Sequence, residues 1–180
     1  GMIDEIRQKL GNDYNYIVAD CQSIPFKNNY FDTIVANHML FYLKDLKQGL
    51  TEITRVLKNN GTFYCTTYSK YHMQEISELA QNFDSRISLS DDPLPERFGL
   101  ENGKDILKSY FNYVELKKYE DYLLITEAQP LIDYILSCHG NQNEYLGNRL
   151  KEFKIYIEDL IKESQGIKIT KDSGLFICTK

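Results

Sequence analysis

Short apolar runs alternate with stretches of helical period along this chain. Residues 16–19, 33–36 and 62–67 are β-branched or aromatic and apolar on both faces, as in strands buried in a parallel sheet. Between and after them the period changes. Ile3, Ile6 and Leu10 predict a helix over 2–10, with Asp4 and Glu5 in its first turn and Gly11-Asn12 ending it. Leu46, Leu50, Ile53 and Leu57 predict a helix over 46–57. Asp45 and Gln48 form its capping box, and Asn60-Gly61 turns the chain into strand 62–67. Met73, Ile76, Ala80 and Phe83 share one face of a helix starting near Ser69. Residues 85–101, with Asp91-Asp92-Pro93-Leu94-Pro95, read as irregular. Asn102-Gly103 opens a turn or helix before Ile106, Leu107 and Phe111. Residues 113–119 alternate as a strand does, and 123–126 form a further extended piece. Pro130 suits the first turn of a helix that runs to Ser137 and breaks at Gly140-Asn141. Leu146, Leu150, Phe153, Ile157, Leu160 and Ile161 make a strong amphipathic helix. Two runs, 167–170 and 175–178, flank Asp172-Ser173-Gly174 as a hairpin. The whole is an α/β pattern read as one domain over 1–180, with 85–150 as a cap or substrate region.

The strand ends bring in chemistry. The first two runs finish in Asp20-Cys21 and Asn37-His38. In open α/β sheets, ligands bind outside the carboxyl ends of the strands. An acid, an amide and an imidazole therefore stand where a ligand would be. Asp20 alone reads equally well as an acid capping a turn, and His38 as a satisfied histidine at a strand end. Tyr42, Tyr68 and His72 also follow strand ends, although aromatics are more often core.

Composition narrows the partners. With 26 acidic against 21 basic residues the net charge is −5, which argues against nucleic acid. No run approaches the ~20 apolar residues of a membrane span. No signal peptide is visible after Met2. Cys21, Cys65, Cys138 and Cys178 lack paired spacing, which speaks against a zinc site or a disulfide framework and for a reducing cytoplasm. No metal cluster or Ser/His/Asp set can be assembled.

The stretch 16–67 resembles the class I S-adenosylmethionine-dependent methyltransferases, in particular the small-molecule type related to quinone biosynthesis. The resemblance is carried by Ala19-Asp20-Cys21-Gln22-Ser23-Ile24-Pro25-Phe26, Tyr30-Phe31-Asp32, Ala36-Asn37-His38-Met39-Leu40, Glu52-Ile53 with Arg55-Val56-Leu57, and Gly61-Thr62-Phe63. It is clear over about residues 1–83 and fainter beyond. It implies a Rossmann-like sheet of order 3-2-1-4-5-7-6 with a helical cap and a C-terminal antiparallel strand. It implies S-adenosyl-L-methionine as cofactor and a small-molecule methyl acceptor. Asp20, with Cys21 beside it, would accept a hydrogen bond from the adenine amino group. Asn37 and His38 would line the methionine end and the methyl-transfer path, with His38 a candidate general base. Tyr42, Tyr68 and His72 would face the acceptor. Pro25-Phe26 would shape the loop under the adenine.

One departure stands against these matches. The family's first strand carries a glycine-rich loop, and its second ends in an acid; residues 1–20 hold neither. The expected sheet is N-terminally incomplete, its first two strands absent, so 16–19 would lack a partner and 33–37 a neighbour. An exposed central strand invites pairing, which predicts a homo-oligomer through that edge. Two function classes follow: a methyltransferase, impaired if truncated, or a non-catalytic remnant acting as an interaction or dimerisation module. A nicotinamide-binding Rossmann domain fits less well, because no glycine fingerprint with an acid about 20 residues later is present.

Overall fold

The computed structural model describes residues 2–90 and 92–180; Gly1 and Asp91, part of the stretch read as irregular, lie outside it. The chain opens on helix α1 (Met2–Leu10), ended by Gly11 in a left-handed conformation at φ 74°. Strand β1 (Phe31–Asn37), helix α2 (Leu46–Val56) and strand β2 (Leu57–Tyr68) follow as a parallel β–α–β unit. Then come α3 (Gln74–Phe83), the short α4 (Leu94–Arg97) and α5 (Gly103–Lys108). Strand β3 (Tyr113–Ile125), helices α6 (Ala128–Ser137), α7 (Gln142–Leu146) and α8 (Leu150–Ser164), and strand β4 (Ile167–Thr179) complete the chain. The sheet has the order β1-β2-β4-β3, and β4 runs antiparallel to both neighbours. This is the 4-5-7-6 part of the order implied by the sequence resemblance.

Three expectations are corrected. Residues 16–19 pair with nothing among the described residues and form no strand; Val18 is 88% exposed. Their apolar character suits a ladder, but an extended segment without a partner leaves its amides to water. The helix that was expected to reach residue 57 stops at Val56, because the approach to β1 takes its last carbonyls. Asn29 N donates to Arg55 O and Tyr30 N to Val56 O, and Leu57 is already extended. Lys58 to Gly61 then bulge, because Phe31 pairs with Leu57 while Thr33 pairs with Thr62. Finally, no hairpin forms at Asp172-Ser173-Gly174. β3 and β4 pair without a break from Tyr113↔Thr179 to Ile125↔Ile167, so both pairs of short runs merge into single strands.

Two apolar clusters pack on this sheet. One joins β1, β2, the distal half of β4, α2 and α5 through Leu50, Ile53, Phe63, Phe98, Leu107 and Phe176. The other joins α3, α6, α8 and the proximal half of β4 through Ile76, Ala80, Leu131, Ile135, Phe153, Ile157 and Ile169. Strands β3 and β4 pass through both, so their length ties the two clusters together.

Candidate functional site

The C-terminal end of β1 is the place where the candidate residues gather. After Asn37 the chain reverses through His38, which adopts a left-handed backbone at φ 46°. A non-glycine residue there carries strain. The conformation is held because His38 N donates to Thr66 O (3.3 Å) and to Thr66 Oγ1 (3.0 Å) on β2. A single 3-10 turn, Leu40–Tyr42, then buries Leu40 and Phe41.

On one side of this reversal lies a slot of about 250 Å³, lined by Ala19, Asp20, Cys21, Ile34, Asn37 and Met39, among others. Asp20 is exposed at its rim. One carboxylate oxygen accepts Gln22 N (2.8 Å), and Asp20 forms an isolated bridge with Ser23. The turn-capping reading of Asp20 is therefore realised, and the second oxygen receives only the longer Gln22 Nε2 bond at 3.3 Å. Cys21 is half-buried; burial, aided by the Asp20 and Glu52 carboxylates, pushes its thiol up and keeps it protonated.

The loop carrying Asp20 is anchored to α2. Glu52 Oε2 accepts Ile24 N (2.9 Å), and Arg55 bridges to both Glu52 oxygens. The same guanidinium donates to Ile24 O (2.9 Å), Phe26 O (2.8 Å) and Asn28 Oδ1 (2.9 Å). These bonds hold the Glu52 carboxyl below its usual range. Gln22 adds a second tie: Asp45 N donates to its Oε1, and Gln48 Nε2 donates to its carbonyl (3.2 Å). Only half of the expected capping box forms. Asp45 caps Gln48 N (2.9 Å), while the Gln48 side chain turns to the Asp20 loop.

On the other side lies an aromatic hollow of about 460 Å³ between the sheet and the helices. Its lining includes His38, Tyr68, His72, Ser77, Tyr134 and Cys138. His38 stacks near Tyr68 (centroids 6.1 Å, planes 24° apart), and Tyr68 lies 5.3 Å from His72. Burial, then the neighbouring Tyr42, Tyr134 and Asp92, push the Tyr68 phenol up, so it is a neutral hydroxyl. Burial is the main reason that His72 is held below the usual histidine range. Tyr42 lines neither hollow; it is exposed and packs edge-on against Phe41.

Asn37 lines the slot, and His38, the next residue, lines the hollow. Asp20, Cys21 and Asn37 are thus brought together on one side, and His38, Tyr68 and His72 on the other. Tyr134 on α6, Cys138 at the C-terminal cap of α6 and Ser77 on α3 were not singled out as site residues from the sequence. Only the packing of α3 and α6 over the end of β1 turns them toward a cavity. The larger hollow around Tyr16, Phe26 and Tyr30, of about 480 Å³, collects aromatics but no titratable group other than tyrosine. No group of His, Cys, Asp and Glu able to hold a metal exists among the described residues.

Residues 1–65 match the family described as "Methyltransferase domain". A malonyl-[acyl-carrier protein] O-methyltransferase of Chlorobium luteolum is 25% identical over 160 residues, 87% of this chain and 57% of that protein. A ubiquinone/menaquinone biosynthesis C-methyltransferase of Vibrio cholerae is 30% identical over 86 residues, 47% of this chain and 33% of that protein. The chain thus spans little more than half the length of the first of these relatives and a third of the second. The fold is shared with the YcgJ protein of Bacillus subtilis, at a TM-score of 0.56 and 15% identity, covering 98% of this chain and 76% of that one.

Proposed function

We propose that this chain, whose residues 1–65 match a methyltransferase domain, is of the class I small-molecule methyltransferase type and takes part in S-adenosylmethionine-dependent methyl transfer to a small-molecule acceptor. One observation carries this reading. A carboxylate-rimmed apolar slot and an aromatic hollow flank adjacent residues, Asn37 and His38, at the carboxyl end of β1.

The slot suits an adenine. Ile24, Ile34 and Ile53 supply flat apolar walls, and Asp20 offers a carboxylate oxygen to an N–H donor at the rim. The anchored 22–28 loop fixes that oxygen before any ligand arrives, which lowers the ordering cost of binding. Asn37 lines the same slot on the side toward β1's end. When bound, S-adenosylmethionine supplies an electrophilic methyl group on a sulfonium. The remaining work belongs to this chain: positioning the acceptor and handling its proton. Alignment is the larger contribution in such a reaction. Tyr68, His72 and, more loosely, Tyr42 would hold the acceptor, and His38 would take its proton where the acceptor needs deprotonation. Residues 85–150 would act as the acceptor cap of one domain spanning 1–180, a reading supported by Ser90, Tyr134 and Cys138 in the lining of the hollow.

Calorimetric titration with S-adenosylhomocysteine tests this. Binding in the micromolar range, weakened at least about tenfold by Asp20→Ala, is the expected result; a tenfold loss is 1.4 kcal/mol, the scale of one hydrogen bond to a charged group. Absence of binding by a folded sample would overturn the cofactor reading.

A second reading rests on a different feature. β1 is an edge of the sheet, bonded to β2 alone, and Val35 on it is 58% exposed. This favours pairing along β1, as a homo-oligomer or an interaction module of the same fold.

A further inference from the structure

We infer that His72 is a fixed hydrogen-bond donor in the acceptor hollow, and that the hollow selects an uncharged acceptor bearing a carbonyl or hydroxyl oxygen. This rests on the proposed acceptor role of that hollow. The argument begins with a proton count. Asp172 N donates to His72 Nδ1 at 3.1 Å. A backbone amide can only donate, so Nδ1 must carry its lone pair and the proton of the neutral ring must sit on Nε2. The ring is therefore locked in one tautomer by β4, an element on which the sequence gives no hint of a bond to His72. Asp172 is itself fixed: its carbonyl accepts Ser69 N at 3.0 Å, and it pairs with Glu120 on β3. His72 N, in turn, donates to Ser69 O at 3.2 Å, and Met73 N donates to Thr170 O at 2.8 Å. The histidine is pinned to β4 at its ring and by its backbone surroundings.

The chemistry of the hollow fits this donor. Its lining contains two histidines, two tyrosines, two serines and one cysteine, and no Lys, Arg, Asp or Glu among the described residues. The Tyr68 phenol is kept neutral by its surroundings, and His72 is kept neutral by burial and by the charge His38 would carry, with Lys171 adding to this and Asp172 opposing it. Asp92, Asp172 and Lys171 act on Tyr68 and His72 from outside this lining; an ammonium or a carboxylate entering the hollow therefore loses hydration without a direct ion pair among the described lining residues. A neutral ring or chain with a carbonyl or hydroxyl oxygen needs only a donor, and the Nε2–H group provides it. Tyr68 and His38 stack beside it and offer flat faces. In this arrangement His72 cannot be the general base of the reaction, because its free lone pair is already used by Asp172. That role falls to His38, whose ring makes no hydrogen bond to a backbone amide among the described residues.

The test is long-range proton–nitrogen NMR of the chain labelled with ¹⁵N at its three histidines, with His72 assigned by loss of its signals in His72→Gln. The expected result is a single Nε2–H tautomer for His72 in the protein without any ligand. An Nδ1–H tautomer, or a rapidly exchanging mixture, would overturn the proposal without reference to any substrate. Titration with two probes of similar size, acetophenone and benzylamine, tests the selectivity. Acetophenone should move the His72 Nε2–H resonance, and benzylamine should bind at least about tenfold more weakly. Equal or tighter benzylamine binding, or no shift at Nε2–H with acetophenone at any concentration, would refute the donor role. His72→Phe keeps a flat ring and removes the donor, so it should cost acetophenone binding about tenfold while leaving S-adenosylhomocysteine titration unchanged. Failure of the cofactor reading shows separately, as loss of S-adenosylhomocysteine binding with the His72 tautomer intact.

Discussion

Two histidines lining one cavity are held in different ways by the backbone around them. His38 sits in a left-handed turn, its ring stacked near Tyr68 and without a hydrogen bond among the described residues, and His72 is bonded through Nδ1. Asn tolerates that left-handed conformation and lacks a titrating ring. His38→Asn should therefore leave the thermal midpoint close to wild type while lowering methyl transfer to an acceptor that must lose a proton by about 10²-fold or more, the usual scale of general-base loss. Equal loss of midpoint and activity would show that His38 is only structural. His72 makes the opposite prediction, on stability against pH. Its folded-state pKa lies below the free value of 6.5, mainly through burial. The unfolded chain then binds the proton first as pH falls, so stability is full above about pH 6.5 and declines below it toward the folded pKa. Glu75, held low by its hydrogen bonds to Thr170 despite burial, begins to matter only below about pH 4.5. Midpoints measured between pH 7 and 5 should fall in the wild type, and the fall should flatten in His72→Gln. An identical slope in both would assign the effect elsewhere.

At the scale of elements, the loop 20–28 behaves as an attachment of α2 rather than as a free connection. Arg55 supplies three of its ties by donating to Ile24 O, Phe26 O and Asn28 Oδ1. Methionine in its place keeps the length of the side chain and removes every donor. Arg55→Met should expose the amides of 22–28 to hydrogen exchange and weaken S-adenosylhomocysteine binding about as much as Asp20→Ala does, although Arg55 lines neither the slot nor the hollow. Unchanged exchange would show that the Gln22 and Gln48 bonds suffice. The opposite wall of the hollow is fixed in a similar manner. Asn141 accepts Ser88 N (2.7 Å) and donates to Ser88 O (3.0 Å), and a Cβ on Gly140 would fall 1.9 Å from Ser88 O. The break read at Gly140-Asn141 is thus also a docking point, which local sequence could not reveal because its partner is more than 50 residues away.

For the whole molecule, the pairing proposed through the parallel edge of the sheet concerns β1, the other edge being β3. Its second side has no strand beside it in the sheet order. Val35 projects from this strand, exposed. If a second copy pairs there, sedimentation should show a concentration-dependent dimer that Val35→Lys abolishes, since a charged edge residue opposes strand addition. A wild type that sediments as a monomer at every concentration would remove this proposal and leave the cofactor reading untouched.

Much of this molecule is determined by its sequence alone. The periods of α2, α3 and α8 are read from spacing, because a buried stripe needs apolar side chains at fixed intervals, and α6 from Pro130 and the break at Gly140-Asn141. The parallel β1–α2–β2 unit and the sheet order followed from the resemblance carried by the motifs of 19–63, and Asn37 and His38 do stand at the end of β1, whereas Asp20 follows a segment that forms no strand. What failed in the reading failed for want of a partner. Residues 16–19 have the composition of a strand but no ladder, and Asp172-Ser173-Gly174 has the composition of a turn but lies between β3 and Tyr68 of β2. Strand pairing is a property of two segments, and neither carries it alone. The tertiary structure alone decided which helical faces became walls of the hollow, and which nitrogen of His72 carries the proton. Both depend on contacts across the fold, 100 residues apart for His72 and Asp172.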